Sequence, residues 1–276
     1  IHEILPYVEK ETGVKLRFLA AIRRVWLTPK DATAGLNELR ENLDVLKAVA
    51  KSPYVVGSDI IGEEINDINE LVQYAINEDN GFTIRIHAGE NDSLRDNVAK
   101  SIECVKDSVL PNQKMPRIRI GHGLYTADLN SEAGKQLITN IKESGAVLEF
   151  QLTSNVRLNN LSSLNNHPLK KYLLNDIKCV QGTDGFGFYG TDTIEEQLAL
   201  YNILDLDDSD FLKMKKVENE ILDFNEIYFS NKSKKFSEFL NGRTIEEAIL
   251  ELQETNIRKS KENSIILKHN NNVESA

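Results

Sequence analysis

The segment Thr83-Ile84-Arg85-Ile86-His87-Ala88-Gly89-Glu90 ends a β-branched run in an imidazole, two small residues and a carboxylate. Ile84 and Ile86 alternate with polar residues as in a buried strand. The polar cluster follows at its C-terminal end, where a parallel barrel gathers its chemistry. A neutral imidazole is a common metal ligand, and a carboxylate three residues on, past a tight Ala-Gly turn, can face the same cavity as an acid or a base. A structural explanation competes: His87 could simply close the strand, and Glu90 could open the next helix, where negative charge suits the dipole.

Two more segments repeat the pattern. In Arg117-Ile118-Arg119-Ile120-Gly121-His122-Gly123 a histidine stands between glycines just past a strand-like run, and the missing Cβ atoms allow a sharp turn that projects the ring. In Lys178-Cys179-Val180-Gln181-Gly182-Thr183-Asp184 the corresponding place is held by a carboxylate, although Asp beside Gly is also common turn chemistry. The chain has 5 histidines, and two of them fall at such ends. His87, Glu90, His122 and Asp184 together could hold a metal ion and activate water.

Positioning these residues requires a repeating scaffold, and the apolar pattern supplies one. Strands are expected at 14–22, 54–61, 82–86, 117–120, 146–152 and 178–181. Between them helices with front-end capping chemistry are expected at 33–51, 67–77, 93–109, 131–144 and 167–175. Six β-then-α units without hairpins imply a parallel sheet joined by right-handed crossovers. Polar residues follow nearly every strand, including Arg23 and Arg24, Gly62 to Glu64, and Ser154 with Asn155. An open doubly wound sheet concentrates its site at one switch point, so the spread favours an α/β fold of the TIM-type (β/α) barrel. With six of the usual eight strands in view the barrel is incomplete, and the other pair is expected upstream of Ile1. After about Asp207 only helices are expected, at 209–231, 234–240 and 244–261, as a C-terminal extension. The chain thus divides into a single barrel domain over 1–262 and a loose polar tail over 263–276, in which His269 has no chemical part.

Composition excludes several classes. A formal net charge of −10 does not suit nucleic-acid or anionic-membrane partners. No apolar run is long enough to span a membrane, and no basic-then-apolar leader opens the chain. The 2 cysteines, Cys104 and Cys179, have no metal-type spacing and read as reduced core thiols of a cytoplasmic protein. Open barrel edges offer a route to oligomers.

The ordered set His-Ala-Gly-Glu at 87–90, Gly-His-Gly at 121–123, Ser-Asn at 154–155, His-Pro at 167–168 and Thr-Asp at 183–184 resembles the adenosine deaminase family of zinc-dependent barrel hydrolases. The resemblance runs from about residue 14 to 240. It implies zinc as cofactor, with His87 and Asp184 as ligands and two further histidine ligands upstream of Ile1. It implies a small-molecule purine substrate, nucleoside or nucleotide, deaminated by zinc-activated water. Glu90 would protonate the ring nitrogen, His122 would orient or deprotonate the water, and Asp184 would also contact it. Gly62 and Gly185 match substrate-contacting positions.

Some positions depart from that pattern. The family's two histidines separated by one residue are not in this sequence, so the chain alone is expected to be inactive. Gly185 replaces a second aspartate, which removes a base-recognition contact, and Gln151-Leu152-Thr153 stands where Cys-Pro is common. These departures keep open a degenerate relative that binds a nucleotide or a partner, and a different amidohydrolase. Gly185-Phe186-Gly187-Phe188-Tyr189-Gly190 fits G-x-G-x-x-G, but a helix expected only from Asp192 argues against a dinucleotide site. Trp26 with Arg23-Arg24 reads as a loop, and His167 before Pro168 as a helix start.

Overall fold

The computed structural model describes residues 1–25, 32–79, 81–158, 160–161, 164–248 and 250–251. Two compact units divide the chain, residues 1–230 and 231–276. The first unit carries every strand, and each strand is followed by one or more helices.

After α1 (Ile4–Thr12) come β1 (Phe18–Arg23), α2 (Ala32–Val49), β2 (Val55–Ile61), α3 (Asn69–Glu78) and β3 (Thr83–Ala88). They are followed by α4 (Asn97–Ser108), β4 (Ile118–His122), α5 (Glu132–Ser144), β5 (Val147–Phe150) and α6 (Leu152–Arg157). The chain continues through α7 (Leu169–Leu174), β6 (Cys179–Gln181), α8 (Phe186–Tyr189), α9 (Thr193–Leu204) and α10 (Asp208–Leu240). The six strands lie in sequence order in one sheet, and every neighbouring pair is parallel. β1 and β6 are its open edges among the described residues.

Period-2 alternation sorts the sheet into two faces. Ile60, Ile84, Ile86, Ile118, Ile120, Leu148, Phe150 and Cys179 are buried in one continuous core with helix residues such as Val72, Ile102, Leu137 and Leu173. The opposite face carries Asp59, Arg85, His87, Arg119 and Glu149, and a small separate cluster of Val147, Val180 and Val217. A sheet face that sets a row of charges beside so few aliphatic side chains is the first structural sign of a site.

The first unit's part of α10 runs past the N-terminal ends of the strands. Lys178 and Glu220 pair at 2.7 Å, the Arg117 guanidinium lies 4.0 Å from the Phe224 ring centre, and Lys15 meets Glu226 at 2.8 Å. Tyr228 donates its hydroxyl hydrogen to Asp79 at 2.9 Å. A cavity of about 690 Å³ lies between the approach to β1 and β6, walled by Leu16, Arg17, Val180, Gln181, Met214 and Ile221. None of His87, Glu90 or His122 lines it.

Several boundaries differ from the sequence expectation, and β1 starts at Phe18 rather than Val14. β5 stops at Phe150 instead of Leu152, because the buried Glu196 carboxylate accepts from Thr153 N at 3.2 Å and Thr153 Oγ1 at 2.6 Å and so starts α6 early. α4 begins at Asn97 rather than Ser93, and α10 runs unbroken across the two helices expected at 209–231 and 234–240. The helix expected at 244–261 is helical at 245–248 and 250–251, and its remainder, like Trp26, the 263–276 tail and His269, lies outside the described residues.

Candidate active site

His87 reaches the charged face by strand alternation, two residues after Arg85 on β3. His122 does not: alternation alone would send it to the helix side with Ile118 and Ile120. Its left-handed backbone, φ 79°, followed by Gly123 at φ 56°, turns the ring over the strand ends instead. Gly89, φ 75°, turns the chain after β3, and a Cβ there would meet Tyr125 O at 2.8 Å. The Glu64 carboxylate fixes this turn by accepting from Gly89 N at 2.8 Å, Glu90 N at 2.7 Å and Asn91 N at 3.1 Å.

These turns bring His87, Glu90 and His122 together, with one ligand-type atom of each within 4.8 Å of the others. His87 Nδ1 is 3.3 Å from His122 Nε2, which is 3.6 Å from Glu90 Oε2. Asn160 donates to Glu90 Oε1 at 2.8 Å and leaves Oε2 facing the imidazoles. Burial is the largest influence on Glu90 and raises its pKa above the ordinary carboxylate range; His87 opposes this, while the charges of Glu64 and Asp184 add to it. Burial, reinforced by His87 and Arg85, pushes His122 down to about 3. The shift makes Glu90 hold a proton more readily than a free carboxylate does, and leaves His122 uncharged at neutral pH.

Asp184 stands apart from the three. Its backbone is also left-handed, φ 59°, and its Oδ2 accepts from Ser154 Oγ at 2.6 Å. It is exposed, and it reaches the cluster through its charge at Glu90. Gly62, φ 97°, leaves an exposed strand end after β2, where a Cβ would meet Arg23 Cγ at 3.3 Å. Gly185 is pressed by its own loop: a Cβ would lie 2.9 Å from the Tyr189 ring. A larger residue at 185 requires that ring to move.

Below the histidines lies a ladder of charges that no short motif announces. Arg85 donates to Asp59 Oδ2 and Glu149 Oε2, each at 2.6 Å, and Arg119 pairs with the other Glu149 oxygen. The signal was available in the alternation, which puts Asp59, Arg85, Arg119 and Glu149 on the same face as His87. Asn160, in contrast, sits in an irregular segment with no pattern to mark it.

The donor set suits a catalytic metal centre: two imidazole nitrogens and a carboxylate oxygen converge, and a second-shell acceptor is available. That acceptor is Asp59 Oδ1, buried 3.4 Å from His87 Nε2. The glycine-rich loop has no comparable fit to a pyrophosphate. Asp192 Oδ1 already accepts from Ile194 N and Glu195 N at the start of α9, and Phe188 is 93% exposed in the four-residue α8.

The family model described as adenosine deaminase matches residues 3–227. The chain belongs to the adenosine deaminase family. Among curated relatives, the adenosine deaminase of Plasmodium gallinaceum is 32% identical over 163 residues, 58% of this chain and 40% of that protein. The chain spans well under half the length of that relative. Two solved structures share the fold. Arabidopsis ADAL complexed with IMP has a TM-score of 0.52 and 20% identity, covering 81% of this chain and 60% of the other. An amidohydrolase from Burkholderia ambifaria with bound Zn has a TM-score of 0.55 and 16% identity, covering 84% and 62%. Family membership explains why the His-Ala-Gly-Glu and Gly-His-Gly segments occur on adjacent strands, β3 and β4.

Proposed function

We propose that the protein to which this chain contributes hydrolytically deaminates a purine nucleoside or nucleotide. The observation that carries the proposal is the convergence of His87, Glu90 and His122 at the C-terminal ends of β3 and β4. A partly buried carboxylic acid with a raised pKa suits a reaction in which an aromatic ring must be protonated as a nucleophile attacks it. Glu90 is that acid: Asn160 fixes one oxygen, and Oε2 delivers the proton to the ring nitrogen. His122, held uncharged by burial, orients the attacking water or takes its proton. In this reading Asp184, which accepts from Ser154 Oγ, contacts the same water and serves as a metal ligand with His87.

Zinc is the cofactor we assign. When bound, it lowers the pKa of a coordinated water to about 7 and so supplies hydroxide near neutral pH. The Zn in the Burkholderia amidohydrolase and the IMP held by the Arabidopsis protein support a metal and a purine ligand for this fold. Gly62 and Gly185 face the purine in this reading, and the lack of a second acid at 185 shifts base recognition away from a carboxylate. The unpaired Cys104 and Cys179 support a reducing, cytoplasmic setting. No helix among the described residues is long and apolar enough to cross a membrane. The two sheet edges support assembly with a further chain segment or subunit.

Glu90→Gln in the complete protein tests the assignment. Ammonia release from purine nucleosides and nucleotides should fall by about 100-fold or more, as loss of a general acid does, with zinc content unchanged. Undiminished turnover removes Glu90 from the chemistry. Ligand binding without metal or ammonia release would instead support a degenerate binding protein, and zinc without purine turnover another amidohydrolase.

A further inference from the structure

We propose that Tyr125 is a positioning residue for Glu90: its hydroxyl anchors the loop that brings the Asn160 amide onto the Glu90 carboxylate. Tyr125 lies just beyond His122, in the segment that leaves β4, and is half-buried against the core. Its backbone N–H donates to Gly89 O at 2.7 Å and so ties it to the turn that carries Glu90. Its hydroxyl donates to Asn160 O, while Asn160 Nδ2 donates to Glu90 Oε1 at 2.8 Å. Tyr125, Gly89, Glu90 and Asn160 thus close a circuit, in which one residue is bonded to both sides of the contact that holds the acid.

A hydrogen bond between two loops holds only while both are ordered, and ordering backbone costs entropy. The Glu90 side of this one is fixed by Glu64, which accepts from the N–H groups of Gly89, Glu90 and Asn91. The Asn160 side has no helix or strand of its own. It is held by its backbone, through Asn160 N–H to Asn155 O at 2.9 Å and through the Tyr125 hydroxyl to Asn160 O. The first contact ties Asn160 to α6. The second reaches across from the end of β4, beside the strand that leads into the Glu90 turn, and sets where Asn160 stands relative to the acid. A tyrosine suits the task because its ring has few torsions to freeze, and the Arg95 guanidinium lies 5.7 Å from the ring centre.

The hydrogen of the Tyr125 hydroxyl is committed to a carbonyl, so this residue acts through Asn160 and not on the reacting atoms. Asn160 holds Glu90 Oε1, and Oε2 is left toward His122 at 3.6 Å. Without the anchor Asn160 swings away and the Glu90 carboxyl rotates, so that the acid spends less time with an oxygen aimed at the substrate ring. Small displacements of a reacting group cost large factors in rate. The catalytic consequence rests on the deaminase reading above, but the anchor does not.

Tyr125→Phe removes the hydroxyl and keeps the ring with its packing, and two measurements on the complete protein read the effect. In hydrogen–deuterium exchange without substrate, the Asn160 amide should exchange about tenfold faster, as loss of one hydrogen bond implies, while Ile118 and Ile120 of β4 keep their rates. In ammonia release from purine nucleosides and nucleotides, kcat should fall about tenfold at unchanged KM. Asn160→Ala should do the same, and the double variant should lose no more than Asn160→Ala alone, because both act through one contact. An unchanged rate at Asn160 overturns the anchor, and equal acceleration at Ile120 marks a merely structural role and overturns it too. Faster exchange at Asn160 with kcat unchanged, or losses that add in the double variant, overturns the positioning of Glu90. A wild type that releases no ammonia overturns the deaminase reading instead, and the exchange at Asn160 still decides the anchor.

Discussion

Asp59 Oδ1 is buried 3.4 Å from His87 Nε2, and its sister oxygen accepts from Arg85. On the zinc assignment proposed above, a buried carboxylate beside a ligating imidazole serves to orient it. Asp59→Asn in the complete protein should weaken zinc binding by about 10- to 100-fold in competition with a chelator; unchanged affinity would leave Asp59 with only its ion pair to Arg85. At this scale the sequence was informative where a rare residue met a strand end, as at His87 and His122. Asp59, Arg85 and Glu149 escaped because charged residues within strands carry no motif, although their period-2 phase with His87 was there to read. Asn160 reaches Glu90 from a loop, and only the folded chain brings the two together.

The helices behind the sheet are fixed by local chemistry that can be tested separately from the site. Ser131 caps α5 by accepting from Gly134 N at 3.1 Å, and Gly134 itself is pressed against the preceding loop, where a Cβ would lie 2.0 Å from Asp128 O. Ser131→Ala should cost about 1 kcal/mol in urea unfolding of this chain, the usual worth of an N-cap. Gly134→Ala should cost more, about 1–3 kcal/mol, because backbone rather than a side-chain tip must move. Equal effects would show that the loop yields freely. These elements were legible beforehand because capping residues and apolar alternation are local signals, and the six strands fall within the segments expected apart from shifts at their ends. The start of α6 was not, because Glu196 caps it from α9, more than forty residues away. The early stop of β5 is therefore a tertiary effect on a sequence that locally continues as strand.

Across the whole sheet, Asp59 on β2, Arg85 on β3, Arg119 on β4 and Glu149 on β5 join four strands through charge rather than through aliphatic packing. Burial alone would raise the Glu149 pKa, but Arg119 and Arg85 outweigh it and hold the carboxylate below its ordinary value of 4.5. A depressed pKa in the folded state means that the unfolded chain takes up the proton first as pH falls. The contribution of Glu149 is then complete above the ordinary carboxylate range and disappears as pH drops through its lower folded value. Urea unfolding from neutral pH down to about pH 3 should therefore show stability falling on the acid side, with Glu149→Gln flattening part of that slope. The variant should also lose about 3–5 kcal/mol at neutral pH, because Arg85 and Arg119 would face each other without the shared carboxylate between them. Should the acid slope persist undiminished in Glu149→Gln, the pH dependence belongs to peripheral pairs such as Lys170–Asp210, and the ladder serves to aim Arg85 at His87 rather than to hold the sheet.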